Sequence, residues 1–332
     1  MSNWTEEKEK KILSRYKLTL TFKIMRITIA VLLAYVLVVS GLKALVTKIN
    51  DPLKYAYYAD TLLLVTEPNI HIKFNDWFYP EVDSSFTYSI NYPIYKKIGE
   101  TEIEIGDVTI TKKFFQRKPS MTVNIQPQYK ERFAFYLPED PENEQPLDAP
   151  ETYNQWEKLE KVHEGTVAEM AFSMDRYYSM EELLTLLQDY DIHVLWMPLN
   201  VGEKDYIRMS AGGNDGFINF VEAGGFGIGR VDIIDEESYR RSGSILRPSK
   251  EAEDYKEMYL ANLQRLNEEN GIENYLLNRG YVEKYYNWLI ENDFQVYGAV
   301  VTGPVKELLK LRELEGLRAA QVGDVTFWDW YE

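Results

Sequence analysis

The longest unbroken apolar run in the chain covers residues 27–46, ITIAVLLAYVLVVSGLKALV, and carries a single charge, Lys43, near its end. A helix rises about 1.5 Å per residue, so twenty residues extend about 30 Å, the thickness of a bilayer's hydrocarbon core. The alternative is a secretory signal peptide. It fits less well because the run is longer than a typical h-region and no convincing small-x-small cleavage site follows. We predict a retained transmembrane helix over 27–46, flanked by Arg26 and Lys43.

The segment before the span, residues 1–26, has apolar residues at helical spacing. These are Leu13, Tyr16, Leu20 and Ile24, and they fall on one face of a helix that runs on into the span. Because its neighbours are rich in lysine, such a helix commonly lies against anionic headgroups. In the other interpretation, the same face docks on a cytoplasmic protein.

Charge predicts the orientation. Seven Lys and Arg residues precede the span, whereas only Lys43, Lys48 and Lys54 lie near its other end. By the positive-inside rule, the N-terminus is cytoplasmic and the large C-terminal part is extracytoplasmic. That part contains 29 basic and 50 acidic residues, which disfavours a direct nucleic-acid partner because phosphates would be repelled.

Three patterns follow the span. Asn50 or Asp51 before Pro52 predicts a helix N-terminus, and the next residues read as a helix whose tyrosines we expect near the outer headgroups (Tyr55, Tyr57, Tyr58). Residues 70–135 alternate polar with apolar or β-branched residues, which predicts a small β-rich region. Residues 137–151, LPEDPENEQPLDAPE, hold four prolines, six acids and no base, which predicts a linker or an exposed loop.

The remainder, 152–332, alternates strand and helix signals. Predicted strands cover 166–172, 192–199, 295–303 and the end of the chain. Predicted helices cover about 250–268 and 272–291. Two further helices start at Ser179, where Glu182 completes a capping box, and at Pro304. The expected fold class is α+β, with a mixed sheet that carries helices on its face. The predicted organisation is therefore 1–26 cytoplasmic, 27–46 transmembrane, 47–136 a juxtamembrane helix plus the β-rich region, 137–151 linker, and 152–332 the α+β domain.

Few residues point to chemistry. The chain has no cysteine, which excludes disulfides, thiolate metal sites and cysteine nucleophiles. Its three histidines, His71, His163 and His193, lack metal-ligand spacing, and no HExxH or GxSxG is present. Glycines 224, 225, 227 and 229 match neither the dinucleotide fingerprint nor a phosphate loop, so they predict a flexible loop or tight turns. We therefore predict no catalytic residue, no cofactor and no metal.

Two segments resemble a known family. HEGTVAEMAFSMDRYYSMEELLTLLQDYDIHVLWMPL and QVYGAVVTGPVKELLKLRELEGLRAAQVGDVTFWDW are similar to the C-terminal domain of the sigma factor regulator family of Firmicutes. The lead-in EKEKKILSRYKLTLTFKIMRITIAVLLAYVL resembles that family's N-terminal membrane segment. The resemblance covers about 26–46 and about 160–332. The resemblance implies a membrane-anchored regulator that acts by protein–protein contact in envelope stress and is not an enzyme. Some members of the family are anti-sigma factors for extracytoplasmic-function sigma factors.

The resemblance has one departure. Anti-sigma members place a cytoplasmic helical region ahead of the span to mask the sigma factor, whereas residues 1–26 offer a single helix. The expected partners are a sigma factor or a second membrane regulator, together with the bilayer. Two other classes stay open: a cell-envelope enzyme that uses a carboxylate pair, and a structural or assembly module of the membrane.

Overall fold

The computed structural model describes residues 6–73, 79–116, 118–129, 132–150, 154–163, 165–202, 206–213, 216–223, 225–229, 231–235, 240–244, 246, 252–268 and 282–327. The helices are α1 Glu6–Ile49, α2 Pro52–Thr66, α3 Trp156–Glu160, α4 Met180–Leu187, α5 Ala252–Glu268, α6 Val282–Glu291 and α7 Val305–Lys310. The strands are β1 His71–Ile72, β2 Glu81–Val82, β3 Tyr88–Ile98, β4 Thr101–Lys112, β5 Ser120–Ile125, β6 Thr166–Ser179, β7 His193–Pro198, β8 Tyr206–Gly213, β9 Gly216–Ala223, β10 Gly227–Gly229, β11 Val231–Asp235, β12 Arg240–Ser244, β13 Gln295–Pro304 and β14 Leu317–Phe327. The predicted α+β class is confirmed.

Helix α1 is continuous from the basic lead-in through the apolar run. It is long and apolar enough to cross a membrane, and its side chains are exposed over most of its length. The hydroxyls of Thr19, Thr21 and Thr28 donate to carbonyls four residues earlier, so they leave the helix surface apolar. Its last turn is different, because Val46 is buried in the folded part of the chain.

Helix α2 begins as predicted: the Asp51 side chain accepts from the backbone N–H of Leu53 at 2.9 Å, and Pro52 follows it. The expectation that its tyrosines lie near the headgroups is wrong. Tyr55, Tyr57 and Tyr58 are buried. The physical reason is that α2 is apolar on all sides and lies between two cores, so no face is left for a membrane surface.

The first sheet has the order β1-β3-β4-β5, with β2 paired to β3, and every pairing is antiparallel. Strand β4 passes through an irregularity opposite Ile94 and Tyr95. Gly106 makes this possible, since a Cβ there would lie 2.0 Å from the Asn124 carbonyl oxygen.

The second sheet has the order β10-β7-β13-β6-β14. Its pairings are all antiparallel, so the predicted mixed sheet is wrong. The two predicted strand–helix–strand units, β6-α4-β7 and β13-α7-β14, do exist. They interlock: β13 lies between β6 and β7, and β6 lies between β13 and β14. Each unit's parallel strands are therefore separated by an antiparallel one, as in a split βαβ arrangement.

Helices α4 and α7 pack on this sheet, and α5 and α6 extend the same core. The capping box is confirmed: Ser179 Oγ accepts from Glu182 N at 3.1 Å, and Glu182 Oε2 accepts from Ser179 N at 3.0 Å. The predicted helix at 272–291 is observed as Val282–Glu291, and its first ten residues lie outside the described residues.

The acidic, proline-rich stretch is held at both ends. Leu137 and Asp140 are buried, Leu137 N donates to the Val221 carbonyl at 2.9 Å, and Arg208 binds the Asp140 carboxylate. Residues 141–146 form an exposed tip, and Asp148 is exposed as well. The expectation of a fully exposed stretch therefore fails for its ends, while the predicted domain boundaries stay predictions.

Candidate functional site

The four residues of the predicted contact, Leu13, Tyr16, Leu20 and Ile24, lie in the N-terminal half of α1, and all four are exposed. At 3.6 residues per turn their side chains share one face, here called the stripe. Lys10 and Lys17 lie beside it. An exposed apolar stripe with a basic border can bind a protein groove or an anionic bilayer surface.

Sequence reasoning missed a second apolar face on the same helix. Leu18, Phe22 and Met25 recur at i, i+4 and i+7 roughly opposite the stripe, and all three are exposed. Together with residues between the two faces they border a shallow groove. The spacing was visible in the sequence, but the stripe alone was sought there.

The two residues predicted to flank the span lie on α1. Arg26 is exposed, whereas Lys43 is partly covered. Three residues beyond Lys43, Val46 enters the core of the first sheet, and Asn50 donates its side-chain amide to the Val46 carbonyl at 2.7 Å. Tyr55 O–H then donates to Asn50 Oδ1 at 2.8 Å. The end of α1 is thereby bound to α2.

A polar cleft of about 590 Å³ lies where the β3–β4 turn meets the edge of the second sheet. His193 on β7 reaches across it to Glu100, with Nε2 2.5 Å from Oε1, and Lys97 Nζ lies 2.9 Å from the other oxygen of Glu100. The turn can approach because Gly99 has φ +61° and a Cβ there would lie 2.8 Å from Val167. His193, the first residue of β7, thus joins the second sheet to the β3–β4 turn of the first.

A second carboxylate of the cleft, Glu102, is held by a histidine and a lysine. It lies 3.3 Å from His71 Nε2 and 2.7 Å from Lys73 Nζ. The hydrogen bond with His71, followed by the one from Lys73, lowers the pKa of Glu102 to about 2. Hydrogen bonding to Lys97, followed by that to His193, likewise lowers the pKa of Glu100. Both carboxylates thus stay ionised.

This pairing predicts a pH dependence. A carboxyl whose folded-state pKa is depressed contributes stability that is present above its unfolded pKa, about 4.3, and is lost as pH falls toward 2. Glu102→Gln removes that contribution. We therefore expect the wild type to be more stable than Glu102→Gln at pH 6 and the difference to shrink steadily between about pH 4.5 and 2. Urea unfolding at a series of pH values measures this, and a difference that grows on acidification would contradict it.

A buried charge cluster lies behind the cleft. Lys96 Nζ is 2.6 Å from Glu169 Oε2 and 2.7 Å from Asp324 Oδ2, so it joins β3 to both β6 and β14. Glu169 is fully buried, and its other oxygen accepts from Asn69 Nδ2 at 2.7 Å. Burial raises the pKa of Glu169, and the two carboxylates raise that of Lys96. The cluster binds the two sheets to each other.

The glycine-rich region has a packing role. Gly227 lies on β10 against the side chain of Trp196, and a Cβ on it would lie 2.2 Å from the indole and 2.4 Å from the Met197 carbonyl oxygen. Trp196 is fully buried and donates its indole N–H to the Leu64 carbonyl at 2.9 Å. Gly227 and Gly229 are therefore strand residues, not the predicted turns, because a side chain would displace this tryptophan. Gly224 lies outside the described residues.

Among the described residues, no group of three or more His, Asp or Glu side chains is arranged to hold a metal ion. Of the three carboxylates that line the cleft, Glu100 and Glu102 are each bound by a lysine and a histidine, and this arrangement supports electrostatic linkage between the sheets. With a span-length helix, an exposed apolar stripe ahead of the span and an α+β fold behind it, the chain has the layout of a membrane-anchored protein.

Comparison with known families identifies the family of this chain. The sigma factor regulator N-terminal family matches residues 10–103, and the sigma factor regulator C-terminal family matches residues 159–324. The chain belongs to the sigma factor regulator family. This confirms the resemblance to that family.

One curated relative is the probable anti-sigma-M factor YhdL of Bacillus subtilis (strain 168), which is 24% identical over 254 residues. The match covers 74% of this chain and 62% of the relative, so the chain spans less than two thirds of that protein's length. No solved structure matches the chain significantly.

Proposed function

We propose that this protein is a single-pass regulator that restrains an extracytoplasmic-function sigma factor, with the stripe on α1 as its cytoplasmic contact and the two sheets outside the membrane. The observation that carries the proposal is the course of α1. The helix presents exposed apolar side chains ahead of the span, continues without interruption, and ends with Val46 inside the first core. The anti-sigma-M name of its relative supports the choice of partner.

The continuity of α1 gives a physical route for a signal. A helix transmits rotation or translation along its axis, and 44 residues extend about 66 Å. The outer end of α1 is held by Asn50 and Tyr55, and α2 then packs against both cores. In this proposal a shift between the two sheets moves α2, and α2 turns the stripe relative to the sigma factor.

An enzyme with a carboxylate pair is less well supported. Such a pair requires a general acid whose pKa is raised, so that it holds its proton at neutral pH. Of the three carboxylates that line the cleft, Glu100 and Glu102 have lowered pKa values because each is hydrogen-bonded to a lysine and a histidine. A role for the cleft in holding the sheets together fits them better.

The test is an acidic substitution of the stripe. Leu13→Asp with Tyr16→Asp removes two apolar side chains, each worth about 1.5–3 kcal/mol when buried, which is enough to abolish a micromolar contact. We expect derepression of the sigma factor encoded beside this protein, at unchanged protein level and membrane localisation. A sigma-dependent reporter gives the readout.

Helix α1 itself supplies the matched control. Leu18→Asp with Phe22→Asp adds the same charge to the same helix on the other face. If only the stripe variant derepresses, the stripe is the contact. Equal derepression by both variants would point to membrane contact of the lead-in, and no change with either would mean that a second membrane regulator carries the signal.

A further inference from the structure

The loop between β4 and β5 carries two exposed phenylalanines. Phe115 is 93% exposed and Phe114 is 44% exposed, and their rings meet edge to face with centroids 5.0 Å apart. We call residues 113–116 and 118 the aromatic loop. A phenylalanine that projects almost wholly into solvent is unfavourable unless another surface covers it.

The charge of this loop is opposite to that of its surroundings. Residues 112–118 read KKFFQRK, with four basic residues and no acid, in a region that otherwise has a large acidic excess. Aromatic residues interleaved with lysines are typical of segments that sit in the headgroup region of an anionic bilayer. The surface that fits this loop is therefore apolar just below a layer of negative charge.

The loop lies beside the outer end of the span. Lys112, the residue before it, donates to the Tyr55 hydroxyl at 3.2 Å, and Tyr55 is bonded to Asn50 immediately after α1. Strand β2 contacts α1 directly. Asp83 follows β2, and its pKa is lowered mainly by the hydrogen bond from Ser85. The charge of Lys43, near the end of the predicted span, makes the smallest contribution to this lowering, so Asp83 lies within electrostatic range of α1.

A neighbouring turn supports the aromatic loop from behind. Phe86 packs on Phe114 with ring centroids 6.3 Å apart, and its φ is +57°, an uncommon conformation for an aromatic residue. Asp83 fixes that turn by accepting from the backbone N–H groups of Ser85 and Thr87 at 2.8 and 2.9 Å. The turn thus holds the two loop phenylalanines on the side of the fold where α1 ends.

We propose that the aromatic loop inserts into the interface of the bilayer that α1 spans, with Phe114 and Phe115 among the upper acyl chains and the lysines on anionic lipid headgroups. The inference rests on the proposed membrane anchoring. It adds a second point of attachment close to the span, which fixes how the two sheets are oriented over the membrane. The acidic remainder of the fold is repelled by the same lipids, so one orientation is favoured.

Because the chain has no cysteine, a single label can be placed at will. We propose nitroxide labelling of Phe115→Cys in the full chain, reconstituted in phosphatidylcholine–phosphatidylglycerol vesicles. Asn143→Cys, on the exposed tip of the proline-rich stretch, is the aqueous reference, and Tyr35→Cys, within the span, is the lipid reference. Collision with a water-soluble nickel reagent should be roughly tenfold lower at position 115 than at 143, since burying one such side chain favours insertion by at least that factor.

The controls separate the possible outcomes. Lys113→Glu with Lys118→Glu should return position 115 to aqueous accessibility, and so should vesicles of pure phosphatidylcholine. If position 115 is as accessible as 143 while 35 is in lipid, the loop does not insert, although the anchoring stands. If position 35 is itself accessible to nickel, the anchoring fails. If position 115 is protected from nickel only when a second membrane protein is present, the loop binds protein and not lipid, and the proposal is overturned.

Discussion

Lys96→Met is expected to lower the free energy of unfolding by about 3–5 kcal/mol, because it leaves the Glu169 carboxylate buried without its cation. Glu169 is fully enclosed between the sheets, and Asn69 would remain to donate a single hydrogen bond to it. Asp324 would lose the same partner, although it keeps access to water. Urea unfolding of the full chain in detergent, followed by tryptophan fluorescence, measures the change.

The next residue on the same strand provides a matched control. Lys97→Met removes an equal charge, but its partner Glu100 is largely exposed, so we expect a loss below about 1 kcal/mol. The double variant Lys96→Met with Glu169→Leu should recover most of the loss, since the buried pair is replaced by apolar groups. A double variant as unstable as Lys96→Met would show that the charge of Glu169 is not the cause.

The loss in Lys96→Met should also depend on pH. Without the ammonium, burial raises the pKa of Glu169 further above its unfolded value, so the folded state holds a proton that the unfolded state releases. Stability conferred in this way is present at low pH and is lost as pH rises through the folded-state pKa. The deficit relative to wild type should therefore shrink between pH 7 and pH 5, and a deficit that is constant over this range would contradict the explanation.

Local signals in the sequence predicted the elements well. Asp51 and Ser179 are short-range caps, so three or four residues contain all the information that sets these helix starts. The span follows from length and composition alone. Four of the five strands of the second sheet, all but β10, were also predicted in their places, because β-branched residues and flanking turns mark them without reference to their partners.

What failed depended on partners distant in the chain. The tyrosines of α2 were assigned to a membrane surface because nothing nearby showed that two sheets enclose this helix. The sheet was expected to be mixed because the interlocking of its two units is a property of the whole topology. The glycines near 227 were taken for turns because Trp196, which requires them, is thirty residues away.

The site divides in the same way. The stripe is periodic, so the sequence could suggest it, and its role as a contact stays a prediction. The Lys96–Glu169–Asp324 cluster joins three strands and was not predicted. One signal was available: Glu169 is a lone carboxylate inside the apolar strand TVAEMAF, and a buried charge requires a partner. The sequence offered no way to choose Lys96 from among the other cations.

The proline-rich stretch owes its attachment to Arg318 on β14. This side chain donates to the carbonyls of Met174 at 2.9 Å, Leu137 at 2.8 Å, Tyr136 at 3.2 Å and Leu147 at 2.5 Å. Composition alone predicted an exposed stretch, because the residue that holds it lies about 170 positions later. A planar guanidinium can serve four carbonyls at once, whereas a lysine ammonium has three donors on a flexible stem.

Arg318→Lys should therefore release the ends of this stretch and make it sensitive to protease. Charge-assisted hydrogen bonds contribute roughly 1.5–3 kcal/mol each, so the loss of even one makes local opening at least about tenfold more frequent. Cleavage by a glutamate-specific protease at Glu139, Glu142 or Glu144 should accelerate by that factor, since cleavage follows the population of the open form. Arg312→Lys is the matched control, because Arg312 binds only the half-exposed Glu160 at 2.9 Å among the described residues, and its cleavage rate should stay at the wild-type value. Equal rates in the wild type and Arg318→Lys would mean that the stretch is held by its other contacts, with Asp140 and Arg208 the next pair to test.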